Sequence, residues 1–217
     1  MPRAGHRNPT VLNWGPGIIN AVGLANPGVE EALTMVSDAK SRLAPLGVAL
    51  IASIFADTVE GFAHVAERVC SAGPDLLEVN ISCPNVAAEF GRPFALDPVA
   101  AGEVTRAVRA VCDRPMLVKL SPNVHDIVAI GRAALNAGAD GLTAINTVGP
   151  GMIIDVDSGW PILANRTGGV SGPAIRPVAV RCVYDLADKL RCPIIGVGGV
   201  GSGRDVAEML MAGATAV

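Results

Sequence analysis

The feature that most constrains this chain of 217 residues is an alternation that fills most of its length. Short runs of Val, Ile, Leu and Ala, apolar on both faces, give way to stretches of helical period and then return. The runs cover 47–54, 76–80, 115–120, 141–146 and 193–197, and 214–217 opens one more. Between them the spacing predicts helices over 58–71, 97–111, 124–137, 175–190 and 204–211, with an earlier one over 27–40. Asp57 and Asp97 are the expected caps of the first two of these. A strand with no polar face must be covered on both sides, as parallel strands joined by crossover helices are. Two helix-to-strand passages are near copies, Ala137-Gly138-Ala139-Asp140-Gly141 and Ala212-Gly213-Ala214-Thr215-Ala216. That echo favours an α/β fold of the (β/α)8 TIM-barrel type over a doubly wound open sheet. Five strands and a stub fall short of about eight, so the barrel is expected to be incomplete. The chain then reads as one partial domain over 1–217, lacking the first strands and the end of the barrel. Residues 1–17 read as loop. Residues 147–173 form a long excursion with a small inserted hairpin near 149–168, Ile153 to Val156 facing Pro161 to Ala164.

A net charge of -3 leaves no basic footprint for nucleic acid. No apolar run reaches the length of a membrane span. The five cysteines are odd in number, widely spaced and without a CxxC pair, which argues against a disulfide framework and for a reducing, cytoplasmic setting. Cys70, Cys112 and Cys182 read as small buried apolar groups. His6, His64 and His125 make no metal constellation, and Asp155 and Asp157 read as solvated carboxylates flanking the small hairpin, so no metal is expected.

In a barrel the C-terminal strand ends ring one pocket. Here they carry Ser53, Asn80 to Asn85, Lys119, Asn146-Thr147 and Gly198-Gly199. Cys83 lies within the densest of these groups. A thiol there serves as nucleophile, ligand or general base, or fills a core as a structural cysteine flanked by capping Asn side chains. Lys119 interrupts an apolar strand. It reads as a Schiff-base lysine, as a cation against an electron-rich cofactor ring, or as a strand-end lysine snorkelling to solvent. The Gly196–Gly203 turn follows a strand and opens a helix, a place where backbone amides cradle phosphate. The Gly168–Pro173 cluster lets a flat ring approach closely. Both glycine runs also serve as plain turns.

Taken together, Asn20-Ala-Val-Gly-Leu-Ala-Asn-Pro-Gly28, Asn80-Ile-Ser-Cys-Pro-Asn85, Val118-Lys-Leu-Ser-Pro-Asn123, Ile145-Asn-Thr147, Gly168-Gly-Val-Ser-Gly-Pro173 and Gly198-Gly199 resemble the class 1 dihydroorotate dehydrogenase family over nearly the whole chain. The resemblance implies an FMN-binding barrel that oxidises (S)-dihydroorotate to orotate in pyrimidine biosynthesis. It implies Cys83 as the base that takes the C5 proton while C6 delivers hydride to flavin N5. Lys119 is implied on the pyrimidine side of the flavin. Asn20, Val22, Gly23, Leu24, Asn80, Asn85, Asn146 and Thr147 are implied around the substrate. Ser53, Ser171, Gly172, Gly198 and Gly199 are implied around FMN, and the Phe90-Gly91 loop over the substrate.

Asn123 and the Gly149-Pro-Gly-Met152 run are more similar to class 1B than to fumarate-using class 1A. Class 1B implies a homodimer core with an electron-transfer subunit that carries FAD and a 2Fe-2S cluster and reduces NAD. Measured against the family pattern, the first strands with a substrate-side lysine, and a Gly-Thr phosphate contact after the last strand, are not in this sequence. The expectation that follows is weak or absent FMN binding unless those pieces are supplied. An inactive family member and a Schiff-base lyase using Lys119 remain as alternative readings.

Overall fold

The computed structural model describes residues 2–82 and 94–217. Its centre is a parallel sheet of β3 (Ile51–Ile54), β4 (Leu76–Asn80), β5 (Met116–Leu120), β6 (Gly141–Ala144) and β11 (Ile194–Gly196), in that spatial order. Ala216 bridges in parallel to Ile195 where the sixth run was expected. The helices α1 (Val29–Leu43), α2 (Val59–Ser71), α3 (Pro98–Arg109), α4 (Ile127–Asn136), α5 (Arg176–Leu190) and α6 (Gly203–Met211) alternate with these strands in sequence. Helices α2, α3, α4 and α5 pack neighbour on neighbour in chain order.

Register sorts the strand side chains into two faces. Ile54, Val79, Val118, Leu142 and Ile194 belong to the set that turns toward the helices, and each is almost wholly buried. The opposite set is Ser53, Glu78, Asn80, Lys119 and Thr143, with Ser53 beside Glu78, Asn80 beside Lys119 and Lys119 beside Thr143. The apolar runs thus fold as expected, but the face away from the helices is the polar one.

That register is fixed by a clasp used three times. Asp75, just before β4, accepts from Leu50 N at 2.8 Å while its own amide donates to Leu50 O at 2.9 Å. Asp140, just before β6, accepts from Met116 N at 2.7 Å and donates to Met116 O at 2.9 Å. Thr215 repeats this on Ile194, accepting at 3.2 Å and donating at 2.8 Å. The clasp is what the repeated Gly-Ala-Asp and Gly-Ala-Thr passages encode, and Gly73-Pro74-Asp75 is a third version.

A second sheet is antiparallel, in the order β1 (Val11–Asn13), β2 (Ile18–Asn20), β10 (Gly168–Ser171), β7 (Val148–Gly151). It corrects the sequence reading, which has loop at 11–13 and a mostly irregular excursion at 147–173. These strands of three or four residues, rich in Gly, Asn and Pro, carry no periodic signal. The inserted hairpin is present in shorter form, β8 (Ile154–Asp155) against β9 (Trp160–Pro161). The cap of α2 is Thr58 rather than Asp57, its Oγ1 accepting from Gly61 N at 2.9 Å. Asp97 caps α3 as expected.

The cysteine reading is corrected as well. Cys70 and Cys112 form a disulfide, with Cα atoms 6.1 Å apart and a separation of 42 positions in sequence. Each follows or ends the helix it terminates, and the side-by-side packing of α2 and α3 brings those ends together. Spacing along the chain carries no trace of that proximity. Cys182 is buried in α5 as expected. Burial pushes the thiols of Cys182 and Cys192 up from their ordinary value, which makes both poor nucleophiles at neutral pH.

Replacing Asp140 with Ala strands the buried Met116 amide and frees Arg109, whose Nη2 lies 2.7 Å from Asp140. The expected loss is about 1–3 kcal/mol in urea unfolding. The Lys40 ammonium, then the Leu50 amide, hold the Asp75 carboxyl below the usual carboxylate range. Its contribution is therefore complete above an unfolded value of about 3.9 and is lost as pH falls through the lowered folded value. Urea midpoints followed from neutral to acid pH should fall less steeply in Asp75→Asn than in the parent chain.

Candidate active site

At the C-terminal ends of β5, β6 and β11 a cavity of about 550 Å³ opens. Lys119, Asn146, Thr147, Ser171, Gly172, Gly198 and Gly199 all line it. These come from four separate stretches of sequence. The parallel sheet supplies Lys119 and the two turns after β6 and β11, and the antiparallel sheet supplies Ser171 through the end of β10. Each glycine has a specific reason. Gly198 has φ 137, and a Cβ there would stand 2.7 Å from the Cβ of Ala179. At Gly169 a Cβ would stand 2.2 Å from Thr147 Oγ1, so the missing side chain is what admits Thr147 against β10.

Two kinds of unsatisfied polar group lie at or near the cavity, and of these Thr147, Gly198, Gly199 and Val200 line it. The amides of Gly198, Gly199 and Val200 take no partner among the described residues. The Oγ1 atoms of Thr143 and Thr147 are buried without a hydrogen bond. Buried polar atoms in this condition are uncommon and point to a missing partner. The next amide, Gly201, is already used: it donates to Asp205 Oδ2 at 3.1 Å. That bond, then the Ser202 hydroxyl, with Arg176 also contributing, holds the Asp205 carboxyl below its ordinary range. Arg176 pairs with Asp205 and, at 3.1 Å, with Glu208. The turn is therefore braced from α5 to α6 while its first three amides stay open.

Beside the cavity lies an amide network. Asn146 Nδ2 donates to Ser82 Oγ at 2.9 Å and to Asn80 Oδ1 at 3.2 Å, and its Oδ1 accepts from Thr147 N at 2.8 Å. Ser82 Oγ donates to Asn80 Oδ1 at 3.3 Å. Asn80 Oδ1 is thus crowded with donors, while its Nδ2 has no partner among the described residues. Asn123 locks the next turn, its Nδ2 donating to Thr147 O at 3.1 Å and its Oδ1 accepting from Gly149 N at 2.9 Å.

Other expected site residues lie outside the cavity lining. Ser53 donates to Glu78 Oε1 at 2.9 Å and lines a separate cavity of about 370 Å³ beside α1 and α2. Asn20 ends β2 and its Nδ2 donates to Gly169 O at 3.4 Å. Val22, Gly23 and Leu24 follow it against the N-terminal segment, where His6 N donates to Val22 O at 2.9 Å and Arg3 Nε to Gly23 O at 3.3 Å. Cys83, Asn85 and the Phe90-Gly91 loop lie outside the described residues. The sequence reading missed Ser82, Asn123 and Glu78. The first two stood inside quoted motifs, but their roles follow from bonds across strands. No cluster of three or more His, Cys, Asp or Glu among the described residues is placed to hold a metal ion.

The sequence model of the family described as dihydroorotate dehydrogenase matches residues 1–217. The chain belongs to that family. Among its relatives, the protein of Methanosarcina acetivorans named dihydroorotate dehydrogenase B (NAD(+)), catalytic subunit, is 49% identical over 216 residues, covering 100% of this chain and 68% of the relative. The identically named protein of Anoxybacillus flavithermus is 49% identical over 217 residues, covering 99% and 68%. A crystal structure of the dihydroorotate dehydrogenase of Eimeria tenella in complex with ferulenol superposes with a TM-score of 0.82 at 22% identity. It is covered to 65%, against 100% of this chain, and supports the incomplete TIM-barrel fold. The chain therefore spans about two thirds of the length of these dihydroorotate dehydrogenases.

Ser82 is 1% exposed and serves both Asn80 and Asn146. Ser82→Ala is expected to cost about 1 kcal/mol in urea unfolding. Combined with Asn146→Ala it should cost less than the two single losses added together, because both remove the same bond.

Proposed function

We propose that this chain binds FMN in the 550 Å³ cavity and carries the dihydroorotate-oxidising site of a class 1B enzyme of pyrimidine biosynthesis. The observation that carries the reading is the meeting of Lys119, Asn146-Thr147 and Gly198-Gly199 at one cavity, in a chain 49% identical to proteins of that name. The residues fit the cofactor. Open amides at Gly198 to Val200 suit a phosphate, Asn146 and Thr147 in the lining suit polar ring atoms, and Lys119 supplies a cation.

When bound, FMN supplies the two-electron acceptor for the hydrogen that leaves C6 of the substrate. The chain's own residues do the rest. Cys83 takes the C5 proton, and the electrons of that C–H bond become the C5–C6 double bond of orotate. Asn80 offers its free Nδ2 to the pyrimidine ring, and Asn146, tied on both sides, holds Asn80 in that orientation. Thr147, Asn20 and Asn85 complete the polar surround, with Val22, Gly23 and Leu24 beside Asn20. Lys119 stabilises negative charge at the electron-rich edge of the ring. Ser171 and Gly172, in the cavity lining, stand on the cofactor side, and Ser53 acts through Glu78.

A Schiff-base lyase is the weaker reading. It gives no role to the amide network of Asn80, Ser82 and Asn146 beside the cavity. The class 1B branch brings a homodimer core and a partner subunit with FAD and a 2Fe-2S cluster that passes electrons to NAD rather than fumarate. A cytoplasmic location goes with it. No helix among the described residues is long and apolar enough to cross a membrane. In a reducing compartment the Cys70–Cys112 bridge opens, and both thiols act as small apolar fillers.

FMN titrated into the purified chain, followed by anaerobic dihydroorotate, tests the reading. One flavin per chain and loss of its visible absorbance on adding substrate are expected. Lys119→Ala should weaken FMN by about tenfold or more, the worth of a charge-assisted hydrogen bond. A bound flavin that stays oxidised overturns the proposal, and a chain that retains no flavin returns the inactive-member reading.

A further inference from the structure

Within the five parallel strands only two side chains ionise, Glu78 on β4 and Lys119 on β5. They share the face turned away from the helices and lie one strand apart. Their side chains are 13% and 22% exposed, so neither charge is fully hydrated. A purely structural pair is expected to close to hydrogen-bonding distance. This one stops at 3.8 Å. The oxygen of Glu78 nearest Lys119 instead takes the Ser53 hydroxyl at 2.9 Å. Lys119 has no hydrogen bond among the described residues, so its three N–H groups stay available at the cavity.

We infer that Glu78, anchored by Ser53, is the positioning residue of Lys119, setting the ammonium at the cavity floor without consuming its donors. The chain of contacts runs across β3, β4 and β5 and ends beside Thr143 on β6, whose buried Oγ1 is partnerless. A carboxylate at this distance attracts the ammonium without accepting a hydrogen bond from it. Its anchor keeps the carboxylate from swinging in to cap the ammonium. The inference rests on the proposed FMN site for its purpose, but the positioning itself is a property of the flavin-free chain.

The chain contains three lysines, Lys40, Lys119 and Lys189, each beside a carboxylate, so Lys40 and Lys189 serve as internal controls. Flavin-free protein is treated with an acetylating reagent at neutral pH and the three sites are quantified by peptide mass spectrometry. Glu78→Gln keeps the shape and the Ser53 bond but removes the charge. It should raise acetylation of Lys119 by about fivefold, the worth of a partly exposed ion pair, and leave Lys40 and Lys189 unchanged. Ser53→Ala, at an exposed position, releases the carboxylate to cap the ammonium and should lower acetylation of Lys119 by about twofold, and it decides the matter if Glu78→Gln does not fold. In a second arm Glu78→Gln should weaken FMN by about fivefold at an unchanged unfolding midpoint. Lys119 labelling equal to the parent in the folded variants overturns the inference. If the parent chain takes up no FMN, the proposed function fails and the labelling arm alone decides this one.

Discussion

The parallel register depends on a small polar interaction at the bottom of the sheet. Asp75, Asp140 and Thr215 each exchange two hydrogen bonds with a single residue at or just before the start of the neighbouring strand. A slip of one residue would turn every strand side chain to the opposite face. The clasp forbids that slip at one end, and the consequence appears at the other end. Ser53 and Glu78 share a face across the clasped β3–β4 pair, and Lys119 and Thr143 across the clasped β5–β6 pair, while backbone bonds such as Leu77 N to Pro115 O at 2.9 Å hold β4 in step with β5. Positioning of the site thus begins with residues that never approach it.

The two sheets divide the work of the site. The parallel sheet contributes charge and amides: Lys119, Asn80 and, just past β6, Asn146. The antiparallel sheet contributes close backbone approach, through Gly169 and Gly172 in and after β10. Neither alone encloses the cavity. Asn123 couples the halves, since its side chain after β5 holds the Gly149 amide of β7, whereas Asn146 works within the parallel half. Its amide is saturated by Asn80, Ser82 and the Thr147 backbone, so it serves as a brace, whereas Asn80 keeps a free donor. Two asparagines that look equivalent in sequence therefore have different parts.

Much of this was legible in the chain itself, for a physical reason. Strands buried on both faces and helices with one apolar face leave strong periodic signals, so the core elements, the Asp97 cap and the family motifs could be read directly. What could not be read depends on three-dimensional neighbours. The antiparallel sheet pairs Asn20 with Gly169, residues 149 apart in sequence, through strands too short for any period. The link from Ser53 through Glu78 to Lys119 appears only once register is known. The Asp57 expectation failed because Thr58, one residue later, sits at the helix boundary and reaches the Gly61 amide. The bridge of Cys70 to Cys112 requires two helix ends to meet, and nothing in cysteine spacing announces it.

That bridge has a topological result. It joins the ends of α2 and α3, and the polypeptide between them forms a closed covalent ring containing β4, Ser82 and Cys83. A peptide bond broken anywhere in that ring would leave the molecule in one covalent piece while the bridge is oxidised. While the bridge is closed, a backbone nick between Cys70 and Cys112 does not by itself release either half of the molecule, and reduction removes that safeguard.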